Sequence, residues 1–439
     1  MRTLILGLAL AGAVWPVAGQ NLRAGYAKAD ITPAGPVRMG GYDLRGMPSD
    51  GIHGHDRLYV RVLVLDDGAT RAAFVEADVI GVRGHDYWRA QVARAAGVPE
   101  ANVLVGDVHN HAAPPPSASG KSAFDLQFAK ATVAAAEEAA RNLRPARMAA
   151  GTGTSRVGMN RRQVRPADSV SPLTFDENNS SQSFGKYKTA NPVPVREFGG
   201  VVRLGANPAG PIDPAVQLVR IDAADGKPLA VMIHYACHGT SLGGRNSKIS
   251  GEWMGRMQEY VEKALPGAGS IYLQGAAGDI NPRFVGGLDG HVDNVETTWA
   301  LGEEIGREVV RVYRTLAPEP VAGHIRVASR EILLPRQYRE LFADFRNTAV
   351  KTPTTVVRLG DYLWVTFPGE MFSGIGKAVK AASPAPYAHI MGYTNGSIGY
   401  FPEQKAYAEG GYEIAATHLD PAAERIYLRE IGELLMQLK

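Results

Sequence analysis

The segment 102–111, Asn-Val-Leu-Val-Gly-Asp-Val-His-Asn-His, constrains this chain more than any other stretch. A short β-branched, apolar run ends abruptly in two histidines spaced i, i+2, and Ala-Ala-Pro-Pro-Pro follows. The run predicts a buried strand, and the prolines, which have no N–H to donate, stop any regular element from continuing. His109 and His111 therefore stand at the mouth of a strand end, where a rigid scaffold presents functional side chains on a loop. Alternation along an extended chain would turn both imidazoles to one side. Two neutral imidazoles on one side are the start of a zinc site, although two exposed loop histidines would show the same spacing.

The rest of the chain reads as alternating strands and helices. Strands are predicted over 57–66 and 71–78, joined at an Asp-Gly turn, and over 102–107, 216–221, 229–236, 270–273, 325–334, 354–359, 363–367 and 388–392. Helices are predicted over 86–96, 123–142, 253–264, 294–316, 370–381 and 421–438. Residues 156–210 are rich in Ser, Asn, Pro and charge with little apolar period, which reads as a loop region covering a site. Neither an internal repeat nor a linker long enough to mark a second domain is present. The expectation is one large α/β domain over 21–439, with mixed α+β as the variant, built of mixed sheets and covering helices.

Charge and targeting narrow the function classes. A net charge of +3, with no run of Lys or Arg, lacks the footprint of a nucleic-acid-binding protein. Residues 1–20 combine a basic start, an apolar core over 4–14 and small residues at 17–19, the pattern of a secretory signal peptide. Its apolar run is too short to span a bilayer, and no later segment reaches ~18 apolar residues. The expectation is a secreted or periplasmic protein without a transmembrane segment. Cys237 is the single cysteine, so no intramolecular disulfide is available.

A second histidine site lies in 229–242, Leu-Ala-Val-Met-Ile-His-Tyr-Ala-Cys-His-Gly-Thr-Ser-Leu. His234 falls inside the apolar run and reads as a core histidine. His238 falls where the run gives way to Gly-Thr-Ser, again a strand end, and is the better ligand. Cys237, flanked by apolar residues, reads as inert packing. A helical zinc motif would need Glu after the first histidine, and Tyr235 stands there instead.

Five elements, in order along residues 22–415, resemble the catalytic domain of the neutral/alkaline non-lysosomal ceramidase family. They are Gly25-Tyr-Ala-Lys-Ala-Asp30-Ile31-Thr32, Val108-His109-Asn110-His111-Ala-Ala-Pro114, His238-Gly239-Thr240-Ser241, Pro368-Gly369-Glu370, and the Tyr-rich stretch from Gly392 through Tyr400 and Tyr407 to Tyr412-Glu413. The resemblance implies one zinc ion held by His109, His238, Glu370 and Tyr400. It implies that His111 helps polarise a carbonyl, that Tyr412 hydrogen-bonds the developing oxyanion, and that Arg161 is a site arginine. From the residues alone, Glu370 would be a helix-dipole partner, Tyr400 a core tyrosine and Arg161 a solvated charge.

The sequence departs from the family pattern in two places. Where the family has Gly-Asp-x-Ser-Pro-Asn, this chain has Gly278-Asp279-Ile280-Asn281-Pro282-Arg283. The Asn281 amide cannot serve as an acyl-transfer nucleophile, which leaves zinc-activated water as the attacking group and Asn281 as a substrate-binding residue. The ceramidases continue into a C-terminal β-sandwich domain, and the expectation for this sequence, which reads as closing on one helix, is a catalytic domain without it. The reading is a secreted zinc hydrolase acting on a linear N-acyl amide, a ceramide-like lipid or a related N-acyl compound. The alternatives are hydrolysis of a non-lipid amide or an ester on the same fold, or a zinc-containing secreted binding protein without turnover.

Overall fold

The structure, a computed structural model, describes residues 22–42, 45, 48, 49, 54–165, 201–285, 295–337 and 349–439. The signal peptide expected over 1–20 lies outside them.

Strand alternation sets the layering. In strand β2 (Tyr59–Asp66), Val60, Val62 and Val64 face one apolar cluster while Leu63 and Leu65 face another. Strand β1 (Arg23–Asp30) pairs antiparallel with β2, and β2 with β3 (Arg71–Ala77). Helix α1 (His85–Ala96) then leads to β4 (Val103–Asp107), parallel to β3, and helix α2 (Ala123–Arg141) leads to β5 (Arg144–Thr154). After β6 (Gly158–Arg165) and β7 (Val201–Asn207) come β8 (Ala215–Ala223) and β9 (Pro228–Tyr235). Helix α3 (Glu252–Ala264) carries the chain to β10 (Gly269–Gln274), parallel to β9. The result is an eight-stranded mixed sheet in the order β10-β9-β8-β5-β1-β2-β3-β4.

Its two halves share one inner core. Leu63, Phe74 and Leu104 from one half cluster with Met232, Ile271 and Leu273 from the other. The outer face of the first half carries Val75, Val105, Trp88 and Phe128 under α1 and α2. The outer face of the second carries Val231, Ile233 and Tyr235 under α3 and helix α4 (Val295–Tyr313). Full burial of each such aliphatic or aromatic side chain stabilises the fold by roughly 1.5–3 kcal/mol.

Smaller sheets complete the scaffold. Strands β12 (Ile325–Pro335), β13 (Ala349–Leu359), β14 (Tyr362–Thr366) and β16 (Tyr387–Met391) form a four-stranded sheet. Its Trp364 and Met391 enter the inner core. Its other face packs on helix α5 (Ser373–Ala381) and, beyond the short helices α6 (Ala406–Glu409) and α7 (Tyr412–Ala416), on α8 (Ala423–Met436). Strand β11 (Ile280–Pro282) joins β6 and β7, and the two-residue strands β15 (Glu370–Met371) and β17 (Tyr400–Phe401) pair in parallel. This mixed α/β architecture agrees with the expected fold class.

Four sequence expectations need correction. Residues 156–210 are not a continuous loop: β6 and β7 occupy its described ends, while 166–200 lie outside the described residues. The helix expected from 370 begins only at Ser373, because the N–H of Glu370 donates to Gly399 O at 2.9 Å and that of Phe372 to Phe401 O at 3.0 Å. Those strand bonds hold 370–372 extended. Strands β1 and β5 were not expected. β5 is Ala- and Gly-rich and carries no β-branched residue before Thr152. A Cβ at Gly153 would lie 2.2 Å from Glu308 Oε1 of α4, so the composition that hides the strand is what lets the helix approach. Finally, His109 is not in extended backbone; its φ is +57°.

Glycine placement on the α3–α4 pair gives a direct test. A Cβ at Gly302 of α4 would stand 2.4 Å from the carbonyl oxygen of Trp253 on α3, whereas one at Gly255 of α3 would meet nothing within 4 Å. Gly302→Ala should push the helices apart and lower unfolding free energy by about 1–3 kcal/mol. Gly255→Ala should raise it by about 0.4–1 kcal/mol through the unfolded chain. Denaturant unfolding of both variants checks the pair; a loss at Gly255 as large as at Gly302 would contradict the packing described.

Candidate metal centre

The two histidine loops follow β4 and β9 and are tied together. An isolated parallel bridge joins Asn110 to Gly239, and the His111 N–H donates to Gly239 O at 3.0 Å. His109 leaves β4 in left-handed backbone, a conformation costly for a non-glycine residue. Asp107 holds it there by accepting the His109 N–H at 3.0 Å and the Val82 N–H at 3.1 Å. This turn, rather than strand alternation, brings the His109 and His111 rings edge to face at 4.8 Å. Gly41, at φ +88°, lets the backbone approach His111 so closely that a Cβ would lie 2.3 Å from Nδ1.

His238 is oriented by the carbonyls of Ala277 and Ile280, in the segment that leads to Asn281. Its Nδ1 donates to Ala277 O at 2.7 Å with Ile280 O at 3.0 Å, and its own N–H donates to Ile280 O. That fixes the tautomer and turns the Nε2 lone pair toward the Glu370 carboxylate, 3.1 Å away. His109 Nε2 lies 3.6 Å from the same Glu370 oxygen. Ligand atoms of His109, His111 and His238 all lie within 4.8 Å of one another, and among the described residues these form the group able to hold a metal ion. Desolvation pulls His109 down to about 3 and pushes His111 and His238 well below the usual imidazole range. All three are therefore neutral near pH 7, as ligands must be.

Glu370 and Tyr400 stand in register on the β15–β17 pair. Tyr400 is buried edge to face with Tyr412 at 5.4 Å, and the Arg161 guanidinium lies 5.3 Å from the Tyr400 ring centre and 5.9 Å from that of Tyr412. Arg161 Nη1 is 3.1 Å from His238 Nε2 and donates to Asn281 Oδ1 at 3.2 Å. The structure thus brings all eight expected residues to one place. His234 is elsewhere, in the sheet, edge to face with His389 at 5.6 Å. Cys237 is buried and its thiol pushed well up by desolvation, consistent with inert packing.

The residues present fit zinc. Imidazole nitrogens and a carboxylate converge, and one imidazole has its second nitrogen fixed by a carbonyl, the usual outer-shell arrangement. His109 Nδ1 and both nitrogens of His111 are buried without a hydrogen-bond partner. Two guanidinium groups flank these rings: Arg161 Nη1 lies 3.1 Å from His238 Nε2, and Arg45 Nη1 donates to His111 O at 2.6 Å.

Several supporting residues were not singled out from the sequence. Glu413 is fully buried and accepts from Arg161 Nε at 2.8 Å and from Arg162 Nη1 at 2.7 Å. A register shift between Asn160 and Arg162 is what lets consecutive arginines reach one carboxylate. Asp279 accepts from Asn160 Nδ2, Ser373 N and Ser373 Oγ, pinning β6 to the helix that follows Glu370. Tyr393, at φ +54°, stacks on His109 at 4.1 Å, and Asn395, at φ +61°, accepts the Val105 N–H at 2.9 Å along the free edge of β4. The family resemblance pointed to this stretch from Gly392, but gave no role to Tyr393 or Asn395; the local signal there is the Asn395-Gly396 turn pair.

Comparison with known proteins follows the same lines. Residues 22–297 match the family model described as neutral/alkaline non-lysosomal ceramidase, N-terminal. Neutral ceramidase B of Dictyostelium discoideum is 24% identical over 410 residues, covering 84% of this chain and 50% of that protein. Neutral ceramidase A of the same organism is 24% identical over 369 residues, covering 74% and 46%. The chain spans about half the length of these curated relatives. Among solved structures, a ceramidase complexed with C2 superposes with TM-score 0.72 at 19% identity, covering 95% of this chain and 75% of that one. Neutral ceramidase from Pseudomonas aeruginosa gives 0.72 at 19%, covering 95% and 74%. With the family model matched over more than half of its residues, this chain belongs to the neutral/alkaline non-lysosomal ceramidase family.

Proposed function

We propose that this protein is an exported, zinc-dependent hydrolase of linear N-acyl amides, ceramide-like lipids or related N-acyl compounds. The observation that carries this reading is the convergence of neutral, buried His109 and His238 on the carboxylate of Glu370. His109, His238, Glu370 and Tyr400 would hold the metal. Zinc, when bound, supplies a Lewis acid that polarises a carbonyl and makes water nucleophilic near neutral pH.

The chain's own groups do the rest. His111, neutral and with both nitrogens free of partners, can turn its N–H to a substrate carbonyl and polarise it beside the ligand imidazoles. Burial raises the Tyr412 phenol, so its hydroxyl stays protonated and can donate to an oxyanion. Arg161, held by Glu413, keeps a positive charge beside the reacting group. Asn281 offers no nucleophile; its Oδ1 is engaged by Arg161 and it shapes the wall of the site. Export is supported by the leader-like pattern of residues 1–20, and among the described residues no helix is long and apolar enough to cross a membrane.

Two outcomes follow. Purified protein should carry about one zinc per chain; His109→Ala and His238→Ala should lose it, while His111→Ala should keep it and lose turnover by about 10²–10⁴-fold. Elemental analysis beside kinetics separates the roles, and zinc loss in His111→Ala would make His111 a ligand instead. His234→Ala, remote from the site, should lower melting temperature with zinc retained. Separately, Tyr412→Phe should cut kcat by about 10²–10³-fold with zinc content unchanged; steady-state kinetics on an N-acyl amide panel, with and without chelator, reads this directly.

A further inference from the structure

Beside Arg161 the structure carries a cavity that the proposed chemistry does not use. It has a volume of about 140 Å³ and lies over one face of the β11–β6–β7 sheet. Arg161, Gln163 and Arg165 of β6 line it together with Asn281 and Arg283. Three of the lining residues are arginines and none is acidic.

These charges are unevenly balanced. Arg161 is paired with Glu413 on its far side, and Arg283 with Glu304 at 2.6 Å near the surface. Arg165 donates through Nε to Gln163 Oε1 at 2.9 Å, and among the described residues no carboxylate lies within 4 Å of it. Arg161 Nη2 is buried without a hydrogen bond of standard geometry, with Tyr400 beside the guanidinium, in a side chain only 5% exposed. Asn281 turns its Oδ1 to Arg161, and its amide adds two N–H donors to the wall. The wall therefore presents donors and positive charge to whatever enters, and no carboxylate. A neutral hydroxyl could accept one of these N–H groups, but it would bring a proton of its own among donors and leave the charge of Arg165 uncompensated, whereas an acceptor-only anion answers both.

We infer that this cavity seats a carboxylate on the amine side of the substrate, so that the N-acyl compound cleaved is an anionic one, such as an N-acyl amino acid, rather than a neutral sphingoid amide. The inference rests on the proposed hydrolase reading for the identity of the ligand as substrate. Its geometry needs no metal. One end of the cavity is formed by Arg161 and Asn281, which adjoin His238, so a scissile amide at the imidazoles would run one substituent over Asn281 toward Arg165, and the inference assigns that substituent to the amine side.

The test is binding to chelator-treated protein by titration calorimetry, with N-dodecanoylglycine and its neutral counterpart N-dodecanoylethanolamine as probes. The carboxylate probe should bind at least about tenfold more tightly to the wild-type chain. In Arg165→Gln, and further in Arg165→Gln with Arg283→Gln, that preference should fall below about twofold. Both arginines reach solvent, and circular dichroism confirms folding of each variant. Equal affinity for the two probes in the wild type, or a preference that survives in the double variant, overturns the inference. Turnover of the same pair by zinc-loaded protein keeps the two readings apart. Hydrolysis without carboxylate preference leaves the hydrolase standing and removes the anion site. Preferential binding without hydrolysis removes the hydrolase and leaves the site as an anion-binding cavity.

Discussion

Lone pairs crowd the centre of this molecule. His109 Nε2 and His238 Nε2 lie 3.6 and 3.1 Å from one Glu370 oxygen, in a place where desolvation keeps the imidazoles neutral. Acceptors facing acceptors in a dry site repel, and His238, whose one proton is spent on the Ala277 carbonyl, has no N–H to turn toward Glu370. The surrounding structure instead forces the arrangement. Asp107 holds the left-handed turn at His109, the Ala277 carbonyl aims His238, and the Gly399 and Phe401 carbonyls keep Glu370 extended. The Arg161 guanidinium, itself anchored by Glu413, is the compensating positive charge. Much of the packing between the eight-stranded sheet and the smaller sheets can be understood as holding donors together that would otherwise part.

The layering was legible in the sequence because burial imposes period. Valines 60, 62 and 64 against Leu63 and Leu65 announce a strand buried on both faces, and the long amphipathic run around 295–313 announces its helix. Where composition runs against propensity, as in the Gly- and Ala-rich β5, tertiary pairing with β8 overrides it. The histidines could be placed at strand ends from local pattern alone. Glu370 and Tyr400 could not, since their proximity is created by a parallel two-residue pairing of partners 30 positions apart. Their selection came from family resemblance.

Glu413, Asp279 and Tyr393 show a different limit. Each acts on a partner far along the chain: Glu413 on Arg161 across 252 positions, Asp279 on Ser373 across 94. No local period marks such a residue. The β-bulge that sends Arg161 and Arg162 to one carboxylate is equally silent, because a bulge is a property of two strands rather than of one.

These separations have a consequence for how the site comes into being. Residues 109, 161, 238, 281, 370, 400 and 413 must all be present before the charges balance, and the Asn395 clasp on β4 closes a span of 290 residues. A chain emerging from the ribosome holds its imidazoles long before their carboxylate exists. Non-local closures of this kind are reached slowly, so for much of its synthesis the protein carries only part of this cluster. A metal site completed by Glu370 would therefore form only at the end of folding.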